Sequence, residues 1–325
     1  MPSRLTEDEL IAKFFAPLAG PAGLKLADDA ALLPVGNAKI VATADAIVAG
    51  VHFFPDDPPA AVARKALRVN LSDLAAKGAE PLGFLLTIAL PPDWTDDWVA
   101  AFAAGLGEDA KHYGCPLLGG DTVATPGPLT ISITVLGEAP KGRFVSRAGA
   151  KIGDAVLVSG TIGDAALGLL LRRDPAFAQR LSPASRDELL DRYLLPRPRL
   201  SLAPALRSAA SAAMDVSDGL VGDLEKLARA SKLGAQAELD RIPLSAAARE
   251  AIALDPALLE SAVTGGDDYE ILCCAAEGAA LSAAAKKAGV ALTQIGEITA
   301  GPAGAIFLDG RGKPVSYSKK SFSHF

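Results

Sequence analysis

Apolar runs alternate with helix-like segments through the first part of the chain. The runs KIVATAD and GFLLTIALP, each bounded by Gly or Pro, predict strands. Residues 58–77 have helical composition and precede Gly78, which predicts a helix with a glycine C-cap. A second helix is predicted over residues 96–112, followed by PLLGGDT and by the strand LTISITVLG. Near the start, Thr6 and Glu9 have capping-box spacing and predict one more helix.

The alternation resumes after residues 138–154, EAPKGRFVSRAGAKIGD, which we interpret as the crossover between two domains. The strand AVLVSG leads into a helix from Asp164, and more helices are predicted within residues 185–211. The segment AAMDVSDGLVGDLEKLARAS predicts a strand that runs into a helix. Strands are predicted at YEILCCAA and ALTQIGEI with a helix between them, and LDGRGKPVS is interpreted as a terminal hairpin. The whole pattern is typical of a two-domain α/β (α+β) protein.

Composition narrows the class of protein. A chain of 325 residues is long for one core, so two domains are expected. The net charge of −6, without basic blocks, argues against nucleic acid or an anionic membrane as partner. No apolar run approaches the roughly 20 residues that span a bilayer. The start MPSRLTEDELIAKFF does not resemble a signal peptide, and three cysteines form no disulfide or zinc pattern, so a reducing cytoplasm is expected.

Several carboxylates share one context, each beside an apolar strand and a small residue or turn. They are Asp28, Asp29, Asp45, Asp121, Asp215 and Asp218. Asp73 differs, because it lies in a predicted helix one turn from Asn70 and therefore on the same face. Taken singly, each is most simply a turn residue or an N-cap, and Asp218 is a candidate cap for the helix beginning near Leu220.

Taken together, the carboxylates favour a metal site. Strand ends that face one direction would crowd these oxygens, and like charges repel unless cations intervene. Clustered carboxylates suit hard divalent ions, Mg²⁺ above all, whereas zinc would require more His and Cys than the chain offers. The chain has no GxxxxGK[ST] loop, which excludes P-loop chemistry.

Other signals leave alternatives open. The segment VSGTIGDAAL predicts either a phosphate site at a helix N-terminus or an ordinary turn with Asp164 as N-cap. His52, among aromatic residues, is a core or loop residue or a site residue. Arg147 is a solvated charge or a phosphate fork. Cys273 and Cys274 lie in a predicted strand and are interpreted as packing residues.

The order and spacing of these segments strongly resemble the thiamine-monophosphate kinase family, of the aminoimidazole ribonucleotide synthetase-like superfamily. The resemblance runs nearly end to end and rests on ELIAKFF, ADDAALL, DAIVAGVHF, ARKALRVNLSDLAAKGA, YGCPLLGGDT, SRAGAKIGD, MDVSDGL, GGDDYEIL and the closing HF. It implies the two-domain fold of that superfamily. Residues 1–138 would form the ATP- and Mg-binding, dimerising domain, and residues 139–325 would complete the ATP and substrate site.

The resemblance also implies an activity, ligands and site residues. The expected reaction is ATP-dependent phosphorylation of thiamine monophosphate to thiamine diphosphate by a homodimer with several Mg²⁺ ions. The implied metal ligands are Asp29, Thr43, Ala44 through its backbone, Asp45, Asp73, Asp121, Asp215 and Asp218. The implied ATP contacts are Tyr113, Gly120, Asp121, Arg147 and Ser217. The implied contacts to the acceptor phosphate ester are His52, Asp267 and Phe322.

Three residues depart from the family pattern. Ala27 stands where the family usually has Gly before the Asp pair, and a position needing φ > 0 would be strained there. Ala44 leaves only a carbonyl where the family has a hydroxyl side chain. Asp267 replaces a Glu and is one methylene shorter, so we expect a longer or water-bridged contact to the acceptor.

The expected mechanism is direct in-line transfer without an essential general base, because a phosphate monoester is mostly dianionic at neutral pH. Charge stabilisation would come from Mg²⁺ and Arg147. Two alternatives stay open at this point. One is another ATP-using enzyme of the superfamily, and the other is a non-catalytic, metal-dependent nucleotide-binding protein.

Overall fold

The computed structural model describes residues 24–25, 27–28, 30–35, 38–140 and 143–322. The helix predicted from Thr6 and Glu9 and the predicted metal ligand Asp29 lie outside the described residues. In the described part, eleven strands form two sheets, one in each half of the chain. No helix there combines the length and apolar character needed to cross a bilayer.

The amino-terminal sheet has five strands in the order β1-β2-β5-β3-β4. They are β1 Ala31–Val35, β2 Ala38–Val48, β3 Glu80–Leu90, β4 Leu117–Ala124 and β5 Thr130–Glu138. Only β3 and β4 pair in parallel, and β4 is an edge strand. In β5 the sequence TISITVLGE alternates between buried and half-buried residues, as expected for a strand with one covered face.

Two helices cover one face of this sheet. They are α1 Pro59–Ala76 and α2 Asp96–His112. The core between sheet and helices includes Leu67, Leu71, Phe84, Ile131 and Ile133. The opposite face of the sheet carries no element of the described chain and exposes Leu85 and Val123. This uncovered surface is called the open face below.

The carboxyl-terminal sheet has six strands in the order β11-β8-β10-β6-β9-β7. They are β6 Ala155–Ser159, β7 Ala212–Val216, β8 Gly234–Glu238, β9 Glu270–Ala275, β10 Leu292–Thr299 and β11 Gly304–Leu308. The strands β6, β7 and β9 are buried at every residue, because their runs AVLVS, AAMDV and EILCCA are covered on both faces. Cys273 and Cys274 are buried in β9, which confirms that they are packing residues.

Eight further α-helices surround this sheet in the described part. They are α3 Asp164–Arg173, α4 Pro175–Ala178, α5 Pro183–Leu194, α6 Ala203–Ala209, α7 Leu220–Ser231, α8 Ala246–Leu254, α9 Leu258–Thr264 and α10 Gly278–Lys287. A short 3-10 turn, Leu200–Leu202, precedes α6, and another, Leu239–Arg241, follows β8. Helix α7 packs against β7, β8 and β11, while α10 packs against β6, β9 and β10.

Helix α1 joins the two halves. It packs against β2 and β5 of the first sheet and against β7 and β9 of the second. Thirteen of its 18 residues are buried, including the polar residues Lys65, Asn70, Ser72 and Asp73. Because buried polar groups need partners, a helix with this composition between two sheets is expected to organise a polar site there.

Most predicted elements are confirmed, and the differences have physical causes. The segment PLLGGDT, for which no strand is predicted, contributes to the edge strand β4, because β3 offers it a free parallel edge. The terminal hairpin is reduced to one antiparallel bridge between Leu308 and Pro314, since β11 pairs in parallel with β8. Strands β1 and β8 have no sequence prediction of their own, because each is only five residues long, β1 contains a proline and β8 is weakly apolar.

Candidate active site

Three predicted metal ligands from three elements meet at the junction of the two sheets. Asp45 lies on β2, Asp73 on α1 and Asp215 on β7. The Thr43 hydroxyl donates a hydrogen bond to the Asp73 carboxylate. The backbone N–H of Asp45 donates to Oδ1 of Asn70 at 3.0 Å. Asn70 and Asp73 therefore both face β2, as the helical spacing predicts.

The electrostatics of this cluster favour a cation. Desolvation raises the pKa of Asp73 well above its usual value, and the charges of Asp215 and Asp45 raise it further. Desolvation also raises the pKa of Asp215 to about 7, although a hydrogen bond from Ser72 lowers this pKa. The ammonium of the fully buried Lys77 opposes both shifts but does not cancel them. Crowded carboxylates that resist ionisation are stabilised by a positive ion.

Asp45 sits at the open side of the cluster. The residue is exposed to solvent, although its surroundings desolvate the carboxylate enough to raise its pKa. The nearby charge of Asp218 raises this pKa further, while a hydrogen bond with Asp73 lowers it. A ligand that approaches from solvent would therefore reach Asp45 before the buried Asp73 and Asp215.

Asp218 does not cap helix α7, which corrects one alternative from the sequence. The N-cap is Gly219, with no side-chain cap bond. The buried Asp223 carboxylate instead accepts hydrogen bonds from the backbone N–H groups of Ser217 and Asp218, at 3.1 and 3.0 Å. Lys226 Nζ donates to both carboxylates, to Asp218 at 2.5 Å and to Asp223 at 3.1 Å. Asp223 therefore fixes the backbone of the strand end that carries Ser217 and Asp218.

The donors fit a hard divalent ion in type. Carboxylate, hydroxyl and carbonyl oxygens are the ligands that Mg²⁺ prefers, and the cluster offers them from Asp45, Asp73, Asp215 and Thr43. Within the described ranges, no group of three or more His, Cys, Asp or Glu side chains is arranged closely enough to hold a metal ion by itself. The cation next to Asp218 is the ammonium of Lys226. Ala44 lies on β2 between Thr43 and Asp45 and faces the other side of the sheet.

Asp28 anchors the segment that carries Arg147. Its carboxylate pairs with Lys77 at 2.8 Å and accepts hydrogen bonds from Ser146 Oγ and from the backbone N–H of Arg147, at 2.9 and 3.1 Å. Lys77 also donates to the carbonyl of Ala213 at 2.8 Å. The crossover is therefore attached to α1 and β7, close to the carboxylate cluster.

The predicted acceptor residues His52 and Asp267 meet through Lys65. His52 follows β2, and its Nδ1 accepts a hydrogen bond from the N–H of Val48 at 3.0 Å, so a neutral ring carries its proton on Nε2. Lys65 Nζ lies 2.8 Å from the Asp267 carboxylate and 3.0 Å from the His52 carbonyl. These two residues come from different halves of the chain and lie in one region.

The loop that carries Asp267 is tied to the Asp218 strand end. The N–H of Asp267 donates to the carbonyl of Ser217 at 2.8 Å. At Gly266, a Cβ atom would lie 2.3 Å from that same carbonyl, which explains the glycine. Phe322, 41 % exposed, donates its N–H to the carbonyl of Asp218 at 2.9 Å. Asp267 and Phe322 therefore flank the strand end that carries Asp218.

The same loop contains two residues in unusual backbone conformations. Asp267 has φ of 74° and Tyr269 has φ of 50°, in the left-handed region that non-glycine residues rarely adopt. Tyr269 donates its N–H to the carbonyl of Val216 at 2.8 Å. Such strain persists only where surrounding contacts over-determine the backbone, and it concentrates at functional sites.

A single chain does not bring Asp121 to the cluster. The register places Asp121 opposite Thr87, Thr87 opposite Ser132, and Ser132 opposite Ala46. Residues paired across strands share a face, so Asp121 lies on the open face, whereas Asp45, next to Ala46, faces α1. Three strand spacings of about 4.8 Å put Asp121 about 14 Å from β2.

Tyr113 and Gly120 also lie apart from the carboxylates. Tyr113 follows α2, and its ring lies 5.8 Å from the guanidinium of Arg68. Gly120 lies on β4, where a Cβ atom would be 1.8 Å from the carbonyl of Leu86, so only glycine fits this pairing. Of the predicted ATP contacts, Ser217 and Arg147 lie near the cluster, and Tyr113, Gly120 and Asp121 lie on the amino-terminal sheet and its helix.

The N-terminus of α3 is already occupied by a carboxylate, which corrects the phosphate alternative for VSGTIGDAAL. Asp268 accepts hydrogen bonds from the backbone N–H groups of Gly163 and Ala165, at 2.7 and 3.4 Å. Asp164 instead accepts from the hydroxyls of Thr161 and Ser245. A phosphate would have to displace a buried Asp268 to bind there.

Sequence reasoning missed four residues that hold the site residues in place through hydrogen bonds. They are Lys65, Lys77, Asp223 and Lys226. A lysine in a predicted helix is normally a solvated charge, so nothing local marks Lys65 or Lys77 as buried. Asp223 carried the one available signal, because it follows Asp218 by five residues and lies in the first turn of helix α7.

Comparison with known proteins identifies the family. A model described as AIR synthase related protein, N-terminal domain, matches residues 27–139, and its C-terminal counterpart matches residues 151–309. Thiamine-monophosphate kinase from Caulobacter vibrioides is 45 % identical over 315 residues, which cover 94 % of this chain and 88 % of that protein. The chain belongs to the thiamine-monophosphate kinase family. The Escherichia coli K12 member is 39 % identical over 325 residues, with 98 % of both chains covered.

The family fold is also confirmed by a solved structure. AaThiL complexed with AMPPCP and TMP superimposes with a TM-score of 0.85 at 31 % identity, covering 99 % of both chains. The predicted two-domain fold of the aminoimidazole ribonucleotide synthetase-like superfamily is therefore confirmed.

Proposed function

We propose that the protein is an ATP:thiamine-phosphate phosphotransferase, a thiamine-monophosphate kinase. It transfers the γ-phosphoryl group of ATP to the phosphate of thiamine monophosphate, which gives thiamine diphosphate and ADP. The observation that carries this proposal is the meeting of Asp45, Asp73 and Asp215 beside the His52–Lys65–Asp267 contact. Related proteins at 39–45 % identity bear this enzyme's name, and the related AaThiL is complexed with an ATP analogue and TMP.

Mg²⁺ is the proposed metal, in several ions. Asp45, Asp73, Asp215 and Asp218 would hold it together with Thr43, the Ala44 carbonyl and Asp29. When bound, Mg²⁺ neutralises phosphate charge that a carboxylate-lined cleft would otherwise repel. Asp121 lies on the open face, so it is proposed as a metal ligand apart from this cluster and as an ATP contact, together with Gly120, Tyr113, Arg147 and Ser217. Arg147 adds a fixed positive charge on a segment that Asp28 anchors.

No side chain is proposed as an essential general base. The attacking group is a phosphate oxygen that is mostly ionised at neutral pH, so it needs no proton removed. His52, Asp267 and Phe322 orient the acceptor. The ring of His52 is held by Val48, and its backbone is held by Lys65, which suits a positioning role.

A homodimer through the amino-terminal half is proposed as the working form. All eight residues of the edge strand β4 are exposed, including Leu117, Leu118 and Val123. An uncovered edge and an apolar sheet face of this kind are normally covered by a partner. We also propose that the two domains divide at residues 138/139 and that the enzyme works in the cytoplasm, where its three buried thiols stay reduced.

An ADP-release assay with purified protein tests the function. ADP release that requires both thiamine monophosphate and Mg²⁺, with thiamine diphosphate as product, is expected. ADP release with another phosphorylated acceptor only would favour a different reaction, and nucleotide binding without turnover would favour a non-catalytic protein. In the same assay His52→Gln should keep kcat within about tenfold at saturating acceptor, whereas a loss of about 10³ would assign it proton transfer.

A further inference from the structure

Lys65 is buried between the two halves of the chain with all its donors used. Its side chain is 3 % exposed and lies on α1. Its ammonium group donates to the His52 carbonyl at 3.0 Å, the Tyr193 carbonyl at 3.2 Å and the Asp267 carboxylate at 2.8 Å. Three N–H donors meet three acceptors, and the ammonium also lies 4.2 Å from the centroid of the Tyr193 ring.

The three acceptors belong to separate segments. His52 lies in the loop after β2, Tyr193 near the end of α5, and Asp267 in the loop before β9. Lys65 is thus the common partner of both predicted polar acceptor contacts. It fixes His52 through the backbone, while it fixes Asp267 through the carboxylate that would face the acceptor.

Asp267 needs such a partner for two reasons. Its backbone is strained, with φ of 74°, and the charges of Asp267, Asp45 and Asp215 all act on the buried phenol of Tyr269. The side chain keeps 24 % of its surface exposed, so the oxygen atoms can also meet a ligand in the cleft. An ion pair with a buried lysine restricts both the rotamer and the loop, because the ammonium cannot move away without losing its two carbonyl partners.

We propose that Lys65 is a positioning residue for the acceptor: it holds the Asp267 carboxylate and the His52 loop in register across the two halves of the chain. This proposal rests on the proposed kinase function and deepens it. Lys65 touches none of the carboxylates assigned to metal, so its effect should fall on the acceptor and not on ATP. A residue that only joined the two halves would affect both substrates alike.

The test compares steady-state constants of Lys65→Met, Asp267→Asn and the double variant with wild type. Lys65→Met should raise the KM for thiamine monophosphate about tenfold or more and change the KM for ATP less than about threefold, since misplacement of a binding group lowers productive binding of that substrate. The effects on the acceptor KM in the double variant should be clearly less than additive, because part of the effect of Lys65 passes through Asp267 and only the part that passes through the His52 loop remains. Additive KM effects, or equal effects on both substrates, would overturn the proposal.

Arg207→Met is the matched control. Arg207 also links the two halves, through the Gly78 carbonyl and the Glu80 carboxylate, but it contacts no acceptor or metal residue. It should leave both KM values within about twofold of wild type. If Arg207→Met raised the acceptor KM as much as Lys65→Met, the effect would come from general loosening of the domain contact, and the proposal would fail.

Lys65→Arg keeps the test decisive if Lys65→Met does not fold. Arg retains the charge but changes the reach, so it should raise the acceptor KM in the wild-type background and raise it clearly less in the Asp267→Asn background, where only the contact with the His52 loop remains to be disturbed. Equal increases in both backgrounds would overturn the proposal. Failure of the wild type to phosphorylate thiamine monophosphate would overturn the kinase function and this role together, whereas normal wild-type turnover with an unchanged acceptor KM in the variants overturns the role of Lys65 alone.

Discussion

At the scale of single residues, Asp73 is the carboxylate on which the cluster depends most. It is buried, it accepts a hydrogen bond from Thr43, and the charges of Asp45 and Asp215 act on it directly. Asp73→Asn keeps the shape and removes the charge. We expect kcat/KM to fall about 10²-fold or more, while the circular dichroism spectrum and the melting temperature without ligand stay unchanged or the latter rises.

Asp154→Asn controls for the loss of any buried carboxylate. Asp154 is also buried, accepts hydrogen bonds from the N–H of Lys151 at 2.9 Å and from the Ser211 hydroxyl, and lies outside the cluster. This variant should keep kcat/KM within about threefold of wild type. Near-normal turnover of Asp73→Asn, or an equal loss in both variants, would contradict the metal assignment of Asp73.

At the scale of elements, the N-terminus of α3 shows how the GGDDYE loop is held in place. Asp268 caps this helix from a distant segment and is 1 % exposed. Asp268→Ala leaves buried N–H groups without a partner, so the free energy of unfolding should fall by about 2–3 kcal/mol. Urea unfolding followed by circular dichroism measures this change.

Thr95→Ala provides the comparison for a cap at the surface. Thr95 caps α2 by accepting from the N–H of Trp98 at 3.2 Å, and it is exposed. Its loss should cost about 1 kcal/mol or less, because water replaces the hydroxyl. An Asp268→Ala variant no less stable than Thr95→Ala would show that the buried cap contributes little to the fold.

At the scale of the whole molecule, the exposed apolar residues of the open face predict that two copies of the chain associate through it. Leu85 is 43 % exposed on this face, and we expect sedimentation to give twice the chain mass of 33.2 kDa at micromolar concentration. Leu85→Glu should yield monomers, because a carboxylate at the centre of an apolar contact is strongly unfavourable. Ile152→Glu, at an exposed position of the crossover, should stay dimeric. A wild type that sediments as a monomer would refute the homodimer.

The sequence by itself determined the secondary structure of most of the chain and the family. Strands such as AVLVS and helices such as residues 96–112 follow from local apolar patterns and end signals, which act over a few neighbouring residues. The order and spacing of the motifs MDVSDGL, GGDDYEIL and ARKALRVNLSDLAAKGA identified the family. The identity of the carboxylates at the site was available for the same reason, since each stands in a short recognisable motif.

Tertiary structure alone decided which of these groups meet. Asp45, Asp73 and Asp215 come together because α1 lies between two sheets, whereas strand register places Asp121 on the opposite face of its sheet. Lys65 becomes a partner of Asp267 although 202 positions separate them in sequence. Pairing and burial of this kind depend on contacts between distant segments, and a charged residue shows no local sign that such a contact will desolvate it.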